Sequence, residues 1–211
     1  MKLGWITIFL AGITLSIFAA EPDQNADWRL IKESSGISIY SRPHNGSNLK
    51  EFKAIAEIDA SSKAVHSVIN DVAAYPSFMP YTKECRVIRE EKDSTITYQR
   101  LSPKIVGDRD YTIRVQEKSW PAENGLTYSS CWEPANDQGP SEIPGVFRVK
   151  SVNGSWLLEP VASDKTRATY FVFTDSGISL PQFLANSMNE MGISKLFAAL
   201  RQQAKKPKYQ G

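Results

Sequence analysis

Few residues in this chain have the types and spacing that chemistry needs. Its 2 histidines, His44 and His66, stand far apart. Neither has a metal-ligating partner at helical or hairpin spacing, so no metal site is expected. His44 precedes Asn45-Gly46 as a turn residue would, and His66 falls beside the apolar stripe of a helix, at a boundary position. No stretch reads as a nucleophile elbow, a phosphate-binding loop, a dinucleotide fingerprint, a zinc-protease helix or a C-x-x-C pair. No cofactor is therefore expected. What remains for proton transfer is Tyr98, Tyr111, Asp108 and Asp110, which would have to converge on one substrate to act.

The 2 cysteines, Cys85 and Cys131, would meet an oxidising compartment if the protein is exported, which permits a disulfide. They fall in strands that a meander would hold apart by more than the Cα limit of ~7 Å. Unpaired, both would serve as small core hydrophobes.

The elements that must position these residues are legible as alternations and stripes. Strand signals cover Arg29 to Lys32, Ile37 to Ser41 and Leu49 to Ile58. A helix follows, capped by Ser61 or Ser62, with Val65, Val68, Ile69 and Val72 on one stripe. Tyr75-Pro-Ser-Phe-Met-Pro80 reads as a turn or a short second helix. Strands then dominate: Cys85 to Arg89, Thr95 to Arg100, Arg109 to Glu117, Leu126 to Trp132, Val146 to Ser151, Trp156 to Pro160 and Thr166 to Phe173. Asn124-Gly125, Asn153-Gly154 and Lys92-Asp93-Ser94 supply hairpin turns between them. A long helix opens at Leu180 and runs to about Lys205. The expected fold class is α+β, with a mainly antiparallel sheet.

That last helix is too apolar for a surface. Leu184, Met188 and Met191 form one stripe, and Ile193, Leu196, Phe197 and Leu200 carry apolar character most of the way round. Burial on more than one side means a sheet gripping the helix, with an apolar slot between them. Gly192, a helix weakener, marks the point where the stripe rotates and is a candidate hinge. Ile96 and Tyr98 share a strand face with Arg100, as Tyr111, Ile113 and Val115 do with Arg109. A guanidinium beside an apolar face needs a carboxylate or carbonyl partner.

The formal charge of +2, with basic and acidic residues interleaved as in Arg86 to Lys92, excludes a nucleic-acid-binding face. Lys205-Lys206-Pro-Lys208 is a local excess, read as a solvated helix end or as attraction to an anionic membrane surface. Residues 3–20 carry no charge, follow Lys2 and end in Ala19-Ala20, the layout of a signal peptide. The alternative is an uncleaved membrane anchor. The chain thus divides into a leader at 1–20, a linker at 21–27, one domain at 28–205 and a tail at 206–211, and export to the periplasm or beyond is the expected route.

Pro103-Lys-Ile-Val-Gly-Asp-Arg-Asp-Tyr111, Trp156-Leu-Leu-Glu-Pro160, Ser179-Leu-Pro-Gln-Phe-Leu-Ala-Asn186 and Ala73-Ala-Tyr-Pro-Ser-Phe-Met-Pro80 together resemble the StAR-related lipid-transfer (START) domain family, in its exported bacterial form. The resemblance spans about Trp28 to Lys205. It implies a helix-grip fold, a curved antiparallel sheet around the C-terminal helix, enclosing a tunnel for one lipid or other apolar small molecule held as carrier or sensor. On this chain the tunnel wall would be Ile96, Tyr98, Tyr111, Ile113, Val115, Phe171 and Phe173, or their opposite-parity neighbours, with Leu184, Met188 and Met191 from the helix. The gate would be Leu101, Ile105, Val106, Gly107 and Gly192. Ile105 and Val106, at the loop tip, would touch a membrane transiently or pack on the C-terminal helix. Arg109 would hold a polar head group or serve the sheet's packing. A monomer with no catalytic residue is expected, the alternative being a cyclase-like or hydrolase-like enzyme acting in the same cavity.

Overall fold

The computed structural model describes residues 28–45, 47, 49–104, 106–175 and 182–210, with side chains in the last stretch from 187 onward. The leader and linker lie outside the described residues. The elements are β1 (Arg29–Ser34), β2 (Ile37–Pro43), β3 (Lys50–Ile58), α1 (Ser62–Asn70), α2 (Tyr75–Phe78), β4 (Thr82–Glu90), β5 (Thr95–Leu101), β6 (Arg109–Ala122), β7 (Gly125–Pro134), β8 (Phe147–Arg148), β9 (Ser151–Ala162), β10 (Lys165–Asp175) and α3 (Gln182–Gln203). The strands form one sheet in the order β1-β2-β3-β10-β9-β7-β6-β5-β4, antiparallel throughout, with β8 pairing parallel to the start of β6.

Alternation puts Phe52, Ala54, Ala56 and Ile58 of β3 on the concave face, where Trp156 and Leu158 of β9 and Ala168 of β10 join them. Two alanines in the middle of β3 leave room for a helix to lie close. Helix α1 brings Ala64, Val65, Val68 and Ile69, and Ser61 caps it by accepting from Ala64 N. Helix α3 brings Ile193, Phe197 and Leu200, with Ala204 just past its end, and the Phe197 ring lies edge-on to Trp156 at 5.5 Å. These residues form one cluster gripped by the sheet.

The C-terminal half of α3 is also tied down by polar contacts. Arg201 donates to the carbonyls of Ser35, Gly36 and Glu57, so the β1–β2 turn holds the helix to β3. The tail's lysines are exposed, as a solvated helix end requires, but the tail is anchored. Tyr209 is buried, its hydroxyl donates to Asp71 Oδ2 at 2.7 Å, and Lys208 pairs with the same carboxylate at the end of α1. The helix runs unbroken through Gly192, where an added Cβ would meet nothing within 4 Å. Packing gives no reason for that glycine.

Asn153-Gly154 is not a turn but part of β9. Gly154 sits beneath the Trp132 indole, and a Cβ there would come within 2.2 Å of it. The strand expected from Val146 to Ser151 is β8, 2 residues long. Cys85 lies on β4 and Cys131 on β7, with β5 and β6 between them, and both are free. Cys131 is exposed rather than in the core, because it points to the convex face.

Candidate functional site: the concave face and its opening

Register fixes which side chains face the helix. Trp156 of the core pairs with Tyr170 and Ser130, and from there the concave set continues through Trp132, Val115, Ile113, Tyr111 and Arg109. Across β5 it includes Thr97, Gln99 and Leu101. On β10 it includes Tyr170 and Val172. Tyr111, Ile113, Val115, Trp132, Tyr170 and Val172 are each only half-buried, although they lie on the same face as the core. The phenols among them are nevertheless shielded. Burial raises Tyr111 well above the ordinary phenol, and Tyr170 and Tyr75 are likewise pushed far up. These side chains keep free surface on a face that protein otherwise shields.

The face is apolar with a polar seam. Tyr111 Oη donates to Gln99 Oε1 at 2.7 Å, Gln99 Nε2 donates to Thr82 Oγ1 at 3.1 Å, and Tyr75 Oη donates to the Ile69 carbonyl. Cys85 belongs to this seam, and burial pushes its thiol up to about 12, so it stays protonated and unreactive.

The loop expected as the gate lies where β5 ends and β6 begins. Leu101, the last residue of β5, pairs with Arg109. Between them Gly107 takes φ +73°, a left-handed turn that favours glycine. The loop is laced from inside: Ser102 N donates to Tyr81 O at 2.7 Å, Ser102 Oγ to Asp108 Oδ1 at 2.6 Å, and Arg109 Nη2 to Val106 O at 2.6 Å. The Ser102 hydroxyl, Lys83 and Arg100 together hold the Asp108 carboxyl well below the usual carboxylate range.

Residues 58–201 match the family described as polyketide cyclase/dehydrase and lipid transport. The chain belongs to that family. Among relatives, an uncharacterized protein of Pseudomonas aeruginosa is 27% identical over 165 residues, 76% of this chain and 78% of that one. Mouse phosphatidylcholine transfer protein is 25% identical over 80% of this chain and 79% of its own. A solved STAR-related lipid transfer protein fragment from Xanthomonas axonopodis superposes with a TM-score of 0.74 at 26% identity, over 85% of this chain and 99% of that one. The architecture is the START helix-grip fold.

Within that START frame the expected wall is corrected on two strands. Arg109, Tyr111, Ile113 and Val115 are concave, but Ile96 and Tyr98 point to the convex face, where residues 135–149 cover them. Tyr98 is 1% exposed, donates to Asp110 Oδ2 at 3.0 Å and lies beneath Arg86. Arg148 Nε donates to Asp110 Oδ1 at 2.7 Å, and Asn136 bridges Thr112 N to the Val149 carbonyl. Thr97 and Gln99 are the inward residues of β5. Phe171 and Phe173 are convex as well, against Trp28 at 6.0 Å and stacked on His44 at 3.7 Å. Tyr170 and Val172 take their place inside.

On the helix side, Met188 is half-buried, whereas Met191 is 49% exposed with its sulfur 3.8 Å from Tyr81 Oη, so it sits on the rim. The Leu184 side chain and Ile105 lie outside the described residues, while Val106 is half-buried. His66 stacks on Tyr128 at 4.0 Å and faces Glu117, and His44 bonds Glu51, so both histidines have structural partners. Among the described residues no cluster of three or more His, Cys, Asp or Glu side chains could hold a metal. Sequence reading did not place Tyr75 or Trp132 in the wall, and it reached Gln99 and Tyr170 only as opposite-parity neighbours of Tyr98 and Phe171. Tyr75 was within reach, since it lies in the Ala-Ala-Tyr-Pro motif that carried the resemblance.

Proposed function

We propose that this protein binds one lipid or other apolar small molecule between its concave sheet and α3, as a carrier or sensor rather than a catalyst. The observation that carries the reading is the half-buried yet desolvated wall of Tyr111, Ile113, Val115, Trp132, Tyr170 and Val172. Covering such a wall with an apolar ligand gains about 25 cal/mol for each Å2 removed from water. Relatives named as lipid-transfer proteins support the ligand class.

The catalytic alternative rests on the cyclases and dehydrases in the family's description. Of the expected proton-transfer groups, Tyr98 and Asp110 do meet, but on the convex side beneath Arg148, where no substrate in the cavity reaches them. That supports binding over turnover. The reading extends to a monomer whose opening at residues 101–108 contacts a membrane transiently, in a protein exported by its leader, Lys2 followed by the uncharged stretch 3–20.

Delipidated protein, heated with and without phosphatidylcholine, fatty acids, sterols and isoprenoids, should melt at a higher temperature with at least one class. A melting temperature that none of them raises would overturn the reading.

A further inference from the structure

Trp28, where the domain begins, lies at the end of the sheet that also carries the 101–108 loop. Pairing runs from Arg29 through Ser41, Phe52, Val172, Gly154 and Trp132 to Val115. β1 and β6 start at the same end, and from Val115 back to Arg109 is six residues of β6, so the loop stands about 20 Å beyond the level of Arg29. The 7 residues 21–27 reach at most about 25 Å when extended, enough to cover that distance.

Before that linker stands the uncharged stretch 3–20. Eighteen residues at about 1.5 Å each in a helix come to about 27 Å, against a bilayer hydrocarbon core of about 30 Å. A cut after Ala19 or Ala20 would place Ile17 or Phe18 three residues back, where export signals carry small side chains. Lys2 precedes the stretch, while Glu21, Asp23 and Asp27 follow it, so the positive end stays behind and the domain crosses.

The rim at β1 has the chemistry of a bilayer interface. Trp28 is half-buried, with the Arg42 guanidinium 4.5 Å and the Lys53 ammonium 4.7 Å from its ring. Glu51 is taken by Arg42 and His44. Among the described residues Lys53 therefore has aromatic neighbours, Trp28 and Tyr40, but no carboxylate. Burial and the adjacent Arg42 lower its pKa, as befits an ammonium short of negative charge. Leu30 and Ile31, next along β1, are 53% and 36% exposed. Tryptophan between apolar and cationic side chains suits the headgroup layer of an anionic membrane.

We infer that residues 1–20 stay on the chain as a membrane anchor and that the rim around Trp28 docks on the anionic surface of the same bilayer, with the 101–108 loop turned toward it. The protein is then a tethered exchanger working at one membrane, and the loop touches and leaves that membrane within the reach of the linker. The role of the loop as opening rests on the binding reading above, whereas the anchor and the docking rim do not.

The test uses the full chain, made in a bacterial host with its own leader. After an alkaline carbonate wash the protein should remain with the membranes, and its intact mass should include residues 1–20. A product that lacks them, or that the wash releases, overturns the anchor. Orientation is read on the purified full chain in phosphatidylglycerol vesicles, with Cys131→Ser and a nitroxide at Lys104→Cys or, on the turn at the far end of the sheet, at Asn124→Cys. The label at 104 should collide with oxygen in the lipid more than with a water-soluble nickel chelate, and the label at 124 should do the reverse. Because the far end also exposes Trp120 and Leu126, lipid contact at 124 instead, or both labels in water, overturns the docking. Lys53→Glu, or Arg29→Glu where the first does not fold, should bring the label at 104 into water without detaching the chain. An unmoved label would remove the rim from the docking. None of these readouts measures ligand binding, which the melting assay tests by itself, so either reading can fail while the other stands.

Discussion

The two halves of α3 lie against the same concave sheet, yet they meet it differently. Toward its C-terminus, Ile193, Phe197 and Leu200 interlock with Trp156, Ala54 and α1, and Phe197 and Leu200 are 0% exposed. Toward its N-terminus the facing wall of Tyr111, Ile113, Val115 and Tyr170 is only half-covered and carries a polar seam. The C-terminal half is further clamped by Arg201 and by the Tyr209–Asp71 contact, whereas among the described residues Tyr81 meets Met191 and Lys195 nearer the other end. The C-terminal half of the helix is core. On the proposed reading the other half covers the ligand, and moving it disturbs little of this packing.

Alanine substitution is the sharpest way to break this contrast. Phe197→Ala should cost about 3–5 kcal/mol in urea unfolding, as truncations of fully buried aromatics do. Ile113→Ala should cost about 1 kcal/mol, because its side chain keeps free surface on the cavity side. Equal losses at the two positions would mean that the open half is packed core.

The convex face offers a smaller test. Asp110→Asn weakens the contacts to Arg148 and Tyr98 that pin residues 135–149, and should cost about 1.5–3 kcal/mol. Because that network is sealed from the cavity, ligand affinity should change by less than about twofold. A large affinity loss at unchanged stability would place Asp110 in the binding machinery instead.

The smallest effect belongs to Gly192. A Cβ has room there, so Gly192→Ala should raise stability by about 0.4–1 kcal/mol. If the glycine is a hinge, the same variant should slow lipid exchange between vesicles without weakening binding. Unchanged exchange would remove it from the opening's mechanism.

The helix-grip arrangement was legible because its signals are strong: a long helix apolar on several sides, strands at regular spacing and short turn-rich connections. Face assignment was legible on β6, where Tyr111, Ile113 and Val115 alternate with polar residues. It failed on β5 and β10 for a physical reason. Both faces of those strands are covered, the convex one by residues 135–149 over Ile96 and Tyr98, and by Trp28 and His44 over Phe171 and Phe173. Apolar residues then occur on both sides, and period two no longer marks the inside. Thr97 and Gln99, polar by type, face the concave side. Asn153-Gly154 imitated a hairpin turn, while the glycine's actual constraint, the Trp132 ring above it, comes from another strand and leaves no local trace.

Native mass spectrometry of the purified protein, incubated with vesicles of mixed phospholipid, fatty acid and sterol, tests the central claim most directly. The wild type should carry a single lipid mass per chain. Val115→Trp, which fills the space beside Trp132 from the adjacent strand, should melt near the wild-type temperature and carry little or none. A wild type that emerges without lipid, or a filled variant that carries as much as the wild type, would contradict a ligand site between the concave sheet and α3.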